Sequence, residues 1–423
     1  MKRAKVFSLF FVCAVLVTTP AFAVSEAAIL SLLLSPSPQA NAMGESYGLL
    51  WGTDPMSSTF NPAALGLQAQ KTFLGYAIYP EKVYWLPYLS ADLWYNSKAI
   101  NAGYNLYSLT KIPLSIGVGY FDAYLHLGEQ FYTDEPGDPL GSFISYEKYN
   151  STTFSVAIDY YLHASFGYTI KNIDATIGAG FFENGAAMGR AQPNAHDWGV
   201  VIRAPVFDIL KKLQKPTTFY ENLCPYLTPG FHYSKRNIGD KVIFIDEAQA
   251  DPLPRQAYIG ASFETGLRYQ KAGSQLDIIH FGWAREMDDV LVDRNVDGTW
   301  TYLSGLNDIK FWDNVICGRT NNKATKHQGY EIGLAGIGFF RRGLYQDIEG
   351  LVFFKTRGYG LNFTQPFRLL AALFDYQRDK LWLNILLSLD VEYYESHFIA
   401  EEGHPIFGTG FRGVTIKLRN FEF

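Results

Sequence analysis

Leu114, Ile116, Val118 and Tyr120 fall on one parity of the chain, and Ser115, Gly117 and Gly119 fall on the other. A period of two belongs to an extended strand whose two faces meet unlike surroundings. The alternation returns at Phe154, Val156, Ile158 and Tyr160 against Ser155, Ala157 and Asp159, and again at Phe166, Tyr168 and Ile170. Further runs follow at 198–202, 259–269, 330–334 and 359–363. A late one reads Ile385, Leu387, Leu389, Val391 and Tyr393 against Ser388, Asp390, Glu392 and Tyr394. Counted with weaker neighbours, these runs predict roughly 14 strands, with small and charged residues facing a polar lumen.

No helix competes with that reading. Past the first 23 residues no apolar run approaches the ~20 residues that a spanning helix needs. Leu369 to Phe374 and Leu381 to Leu389 are the nearest, and both are too short. A chain of this kind enters a membrane only as a closed barrel, because lipid offers no partner to an open sheet edge. The 16% share of aromatic residues suits the two interfacial girdles of such a barrel. A secreted soluble β-sandwich alternates in the same way. The carboxyl end favours the barrel, since a strand-like run from Gly413 stops on Phe423, and a terminal aromatic resembles the signal read by the barrel-assembly machinery. Val414, Ile416 and Leu418 share one parity while Phe421 and Phe423 take the other. Either a bulge lies near Arg419-Asn420 or the last aromatics point inward.

The first 23 residues read as a cleavable export signal: Lys2, Arg3 and Lys5, an apolar run from Val6 to Val17, then Ala21-Phe22-Ala23. Without those three basic residues the chain keeps 33 Lys+Arg against 41 Asp+Glu, a net of −8, which gives nucleic acid no footing. Cys224 and Cys317 would meet an oxidising compartment, where pairing is open to them. Between strands, 123–150 is polar and turn-rich and reads as a surface loop. Pro205 to Gln214 reads as a short amphipathic helix, and Glu286 to Lys326 is the longest stretch without alternation.

Behind the leader lies a segment of small residues and turns. Ala42-Met43-Gly44-Glu45 is followed by Asn61-Pro62-Ala63-Ala64-Leu65-Gly66-Leu67, and Asp54-Pro55 stands between them. Small side chains let a backbone pack closely inside a confined space. The expected organisation is therefore a signal peptide over 1–23, a plug over 24–70 and a barrel over 71–423. In the middle, Asp251-Pro252-Leu253-Pro254 leads into the strand at Ile259, its prolines fixing an extended entry at the barrel rim.

These two motifs, with Gly329-Tyr330-Glu331-Ile332-Gly333 and Gly358-Tyr359-Gly360, resemble the PorV/PorQ group of FadL-like outer-membrane proteins. Gln39 departs from that pattern, which often places Arg four residues before the Met of the plug turn. The resemblance implies an outer-membrane barrel with Met43, Gly44, Asn61, Pro62 and Ala63 in its plug. It implies a role in type IX-like secretion with exported cargo proteins as partners. Its more distant FadL side implies instead a passive channel for hydrophobic small molecules such as long-chain fatty acids or aromatic hydrocarbons.

Catalysis finds little support. None of the eight histidines is spaced as in a metalloprotease helix, and no Gly-x-Ser-x-Gly elbow is present. Gly408-Thr409-Gly410-Phe411-Arg412-Gly413 precedes a strand and so reads as a turn, not a dinucleotide site. No cofactor is expected. Asp293, Asn295 and Asp297 match the first half of a calcium loop, but the twelfth position is Ser304 and a plain Asp-Gly turn accounts for them as well.

Overall fold

The computed structural model describes residues 27–80, 82–87, 90–133, 136–182, 185–213, 222–271, 274–295, 298–373 and 381–419. The leader expected at 1–23, Asp297 and Phe423 lie outside them. Fourteen antiparallel strands close into a barrel. They are β1 (Thr72–Ile78), β2 (Trp94–Asn105), β3 (Leu114–Thr133), β4 (Pro139–Asp159), β5 (His163–Phe182), β6 (Asn194–Arg203) and β7 (Leu223–Gly239). The ring continues through β8 (Gln256–Lys271), β9 (Ser274–Val290), β10 (Thr325–Leu334), β11 (Gly338–Asp347), β12 (Val352–Asn362), β13 (Leu389–Ile399) and β14 (Gly410–Arg419). Two short pieces extend this ring, Val83–Tyr84 beside β2 and Gly185–Ala191 beside β5. Closure comes from β1, which pairs with β2 on one side and β14 on the other. The register slips between Thr72 and Leu74 of β1, opposite Arg419, while the alternatives expected at Arg419-Asn420 turn on residues outside those described.

Both ends of the ring, Thr72 and Arg419, lie at the end with tight connections such as 106–113 and 160–162. That end is here called the lower one. Long connections at 240–255 and 291–324 crown the upper end, and two more, 204–222 and 363–388, join strands at the lower one. The outer wall follows the alternation read above. Ile116, Val118, Phe154, Val156, Phe166 and Ile170 are all exposed on it, while Ser115, Ser155, Ala157 and Ser165 are buried inside.

Two readings need correction, and the structure adds to two others. The stretch 123–150 is not a loop: β3 runs on to Thr133 and β4 starts at Pro139. Its outer face is polar because these strand ends rise past the apolar band, which hides the alternation from a hydropathy reading. Residues 381–388 form a helix, so Ile385 and Leu387 do not belong to β13, which starts at Leu389. Within 286–326, β9 continues to Val290, a hairpin pairs Val292–Arg294 with Trp300–Tyr302, and one π-helical turn spans Phe311–Ile316. That connection folds down the outside, where Ile309 and Val315 cover Ile259 and Met287. Finally, Cys224 and Cys317 are both free. The helix expected near 205–214 is present as Val206–Lys212.

The leading segment from Ala27 to Ala69 fills the barrel. Almost every residue of it is buried, and it hydrogen-bonds to inward side chains on strands all around the ring. Contact is backbone to backbone where the wall carries glycine. A Cβ on Gly343 would overlap the Met43 carbonyl carbon and the Gly44 nitrogen, and one on Gly167 would overlap Pro62. Gly44 itself has φ +69°, a region that favours glycine, and presses against the Leu344 backbone.

This approach predicts the effect of a single methyl group or more. Gly343→Val should lift the 43–44 turn off β11 at a cost of roughly 1–3 kcal/mol while the outer wall stays intact. The check is limited proteolysis of the folded barrel, in which the variant's leading segment is cut faster than the wild type's. Equal cutting rates would mean that the wall does not need glycine there.

Candidate functional site

The lower and middle lumen is a polar lattice that holds the leading segment. Asn61 is fully buried; its Oδ1 accepts from the Ala63 amide at 3.0 Å. Its Nδ2 donates to the carbonyls of Val200 on β6 and Tyr233 on β7, at 3.1 and 3.3 Å. Gly199 leaves room for this amide. Ala63 follows, its carbonyl accepting from Ser165 Oγ at 2.6 Å. The prolyl residue between them fixes φ, so the turn arrives with its polar groups already aimed at the wall.

The second turn docks opposite. The Gly44 amide donates to Thr356 Oγ1 at 2.9 Å, and that hydroxyl donates to the Ala42 carbonyl at 2.8 Å. His327 reaches the Gly44 carbonyl through Nδ1 at 2.9 Å and Asp288 Oδ1 through Nε2 at 2.6 Å. Met43 is fully buried over Gly329 and Gly343. Further along, the Tyr47 amide donates to Glu286 Oε2 at 2.8 Å, and Tyr258 donates to the same oxygen. The Tyr47 ring stacks on Phe60 at 4.2 Å between centroids, and the Arg236 guanidinium lies over the Phe60 ring at 3.7 Å. Asp54 caps the next turn by accepting from the Met56 amide at 3.0 Å and from Ser37. Burial pushes its carboxyl above the ordinary range, against those two bonds.

Gln39, which departs from the resembled pattern, has a partner that inverts it. The arginine comes from the wall: Arg341 Nη2 donates to Gln39 Oε1 at 3.3 Å. Arg341 is also paired with Glu331, and its guanidinium lies 4.8 Å from the centre of the Tyr394 ring.

Above this lattice the inner wall changes character. Tyr95, Phe121, Leu125, Tyr149, Phe354 and Phe398 are buried there around Ile29 and Leu32 of the leading segment. The expected polar lumen is therefore only the lower part. Phe121, Ala123 and Leu125 make the inward parity apolar where Ser115, Gly117 and Gly119 keep it small, a signal that gives the face but not the height. Two charged groups in the chamber wall bind the segment. The Ser31 amide donates to Glu147 Oε2 at 2.6 Å, and Arg236 donates to the Leu32 carbonyl at 2.9 Å.

The rim motif closes the chamber. Leu253 is fully buried in it, and the Pro252 carbonyl accepts from the Ala28 amide at 3.0 Å. Asn237 holds the Pro254 carbonyl at 2.9 Å, and Asp251 pairs with Arg294 at 2.5 Å. Asp293 and Asn295 lie at a hairpin tip, where Asn295 Nδ2 donates to Thr299 Oγ1 at 2.8 Å as in an ordinary turn. Among the described residues no group of three or more His, Cys, Asp or Glu side chains is placed to hold a metal ion.

One seam in the wall is incomplete. The ladder between β1 and β14 stops at Ile78–Val414, and 410–413 pair only with β13 among the described residues. Pro80 follows Tyr79 at the point where β1 breaks off. A narrow cleft of about 10 Å³ opens there between Gln39 and Asp54 inside and Ile78 and Val414 in the wall.

No protein-family model and no curated protein matches the chain. Among solved structures it is similar to the toluene transporter TbuX of Ralstonia pickettii, with 11% identity, TM-score 0.36, and 91% of this chain and 98% of that one covered. It is also similar to the P. putida toluene transporter TodX, with 10% identity, TM-score 0.39, and 92% and 99% covered. A third is a Pseudomonas aeruginosa FadL homologue, with 10% identity, TM-score 0.35, and 91% and 97% covered.

Replacing Asn61 tests the lattice. Asn61→Ala strands two wall carbonyls and the Ala63 amide in a buried place, a loss of roughly 1–3 kcal/mol for the docked segment. In hydrogen–deuterium exchange of the folded barrel, amides near 61–66 should exchange faster while those of β3 to β5 keep their protection. Unchanged exchange at 61–66 would mean the amide is not an anchor.

Proposed function

We propose that this protein is an outer-membrane channel that admits hydrophobic small molecules, with the leading segment as its plug. The observation that carries the reading is the two-part lumen. A pore for polar solutes keeps water along its wall, whereas here the upper chamber is aromatic and aliphatic and already holds apolar side chains, Ile29 and Leu32. An apolar solute of similar size takes their place under the rim motif 251–254 and loses water on entry. Each side chain's worth of apolar surface so buried is worth roughly 1.5–3 kcal/mol. The polar lattice below bars the direct way through, so the solute leaves sideways. The β1–β14 seam, whose ladder stops at Ile78–Val414 beside the cleft, is the exit on this reading.

Uptake of radiolabelled oleate or toluene by cells without a hydrophobic-solute channel of their own tests this. Expression of the protein should raise uptake, and Phe121→Ser/Phe354→Ser/Phe398→Ser should lower it by about tenfold. Retained heat-modifiable migration on gels shows that the variant barrel is folded. Uptake at the level of empty cells, together with exported proteins co-isolating with the barrel, would replace this reading by the secretion role.

A further inference from the structure

On the outer wall, β10, β11 and β12 carry an arrangement that neither the plug nor the chamber uses. Ile332, Phe340 and Tyr359 stand side by side on three strands, with the Phe340 and Tyr359 rings 5.7 Å apart. They belong to the apolar band. The next outward row up is Tyr330, Arg342 and Arg357, and the row above is Gln328, Leu344 and Lys355. Arg342 and Arg357 are therefore directly opposed across two strands, with Lys355 one outward position higher, and all three are exposed.

Like charges placed directly opposite destabilise a strand pair, and arginine at the edge of a lipid-facing band is costly. Elsewhere on this barrel the corresponding row is neutralised internally. Lys98 on β2 lies 3.8 Å from Asp122 on β3, and Arg190 lies 2.7 Å from Asp174 on β5. Among the described residues, Arg342, Arg357 and Lys355 have no carboxylate in ion-pair reach. Glu395 on β13, opposite Tyr359 one outward row lower, is taken by His397 at 2.9 Å and Tyr393 at 3.2 Å. Nearby basic groups are also occupied: Arg285 donates to the Val315 and Ile316 carbonyls, and Lys326 to the Gly318 carbonyl.

We propose that Arg342, Arg357 and Lys355 form a binding site for the phosphate groups of membrane-lipid headgroups on the outside of the barrel. Charge and position both argue for a lipid. Two guanidinium forks match phosphate oxygens in geometry, and one dianion between them turns mutual repulsion into attraction. The site is continuous with the apolar band, so acyl chains lie along Ile332, Leu334, Phe340, Tyr359 and Leu361 while the phosphates meet the basic row. Tyr330 and Tyr359 flank it with the aromatic character of a membrane interface. The site needs only that the barrel sit in a membrane and does not depend on the transport reading.

Native mass spectrometry of the full-length barrel in neutral detergent tests it, with diphosphoryl lipid A and its fully dephosphorylated counterpart as probes. Wild type should retain the diphosphoryl lipid about tenfold better or more, on the scale that a few basic residues contribute at an anionic surface. Arg342→Ala/Lys355→Ala/Arg357→Ala should erase that preference, Arg342→Lys/Arg357→Lys should keep part of it, and Lys98→Ala should leave it unchanged. If the triple variant fails to fold, Arg357→Gln alone should reduce the preference measurably. Equal retention of the two lipids by wild type, or an unchanged preference in the folded variants, would overturn the proposal. So would loss of lipid binding on adding equimolar inorganic phosphate, which would make this a free-anion site.

Discussion

Closure of the backbone ladder between β1 and β14 is the constraint on which the other features rest. In lipid an unpaired N–H or C=O group costs several kcal/mol, so a sheet of this length is stable there only without an edge. Once the ring closes, alternation has a fixed meaning: one parity faces lipid and the other faces the lumen. The inward parity must then bury something, and a ring of fourteen strands leaves more room than its own side chains fill. The leading segment supplies the missing volume. Its backbone has the same need for partners as the strands, which explains why the inner wall opposite it offers Ser155, Ser165, Thr356 and Glu286 together with glycines.

The two motifs of the leading segment take their form from that fit. Met43-Gly44 and Asn61-Pro62-Ala63 are the turns that bring main chain against main chain at Gly343, Gly329 and Gly167. Serine and threonine are short enough to reach a carbonyl at that separation, where glutamine or lysine would be too long. Larger charged groups on the inner wall are paired with one another: His327 with Asp288, Lys171 with Asp197 at 2.7 Å, Lys417 with Glu392 at 2.6 Å. Lys417 also donates to the Thr53 carbonyl at 3.1 Å, so even these pairs are tied to the segment.

Much of this was legible in the sequence, because period-two patterning records the two environments directly. Strands stand where the alternation put them at 114–120, 154–159 and 166–170, and the strand number agrees. Three things were hidden for physical reasons. The tall ends of β3 and β4 lose their apolar outer face once they leave the lipid level, so 123–150 looked like a loop. The run 381–393 is apolar enough to fit a helix or a strand, and Arg368 decides the matter: it donates to the Leu387 and Leu389 carbonyls and binds Asp390 at 2.7 Å, ending the helix there. The division of the lumen depends on which inward residues sit high and which sit low. A strand's parity tells the face but not the height, and Phe121 differs from Ser115 only in the latter.

That difference in height gives the two ends of the leading segment different strengths. Around Asn61 and Gly44 it is fastened by buried hydrogen bonds whose loss leaves polar groups stranded, an expensive change. Around Ile29 and Leu32 it is fastened mainly by apolar contact, which any apolar molecule of similar shape replaces without stranding anything. The Ala28 amide, which donates to the Pro252 carbonyl, the Ser31 amide and the Leu32 carbonyl are exceptions, and the partners of the last two, Glu147 and Arg236, are charged groups at the chamber wall that water or a solute carboxylate and hydroxyl can satisfy in turn. On the proposed function the upper end is thus the exchangeable part and the lower lattice the fixed one. A solute entering from above displaces the tip of the segment and leaves the seal beneath it in place, so that the barrel admits an apolar molecule without opening a water-filled hole.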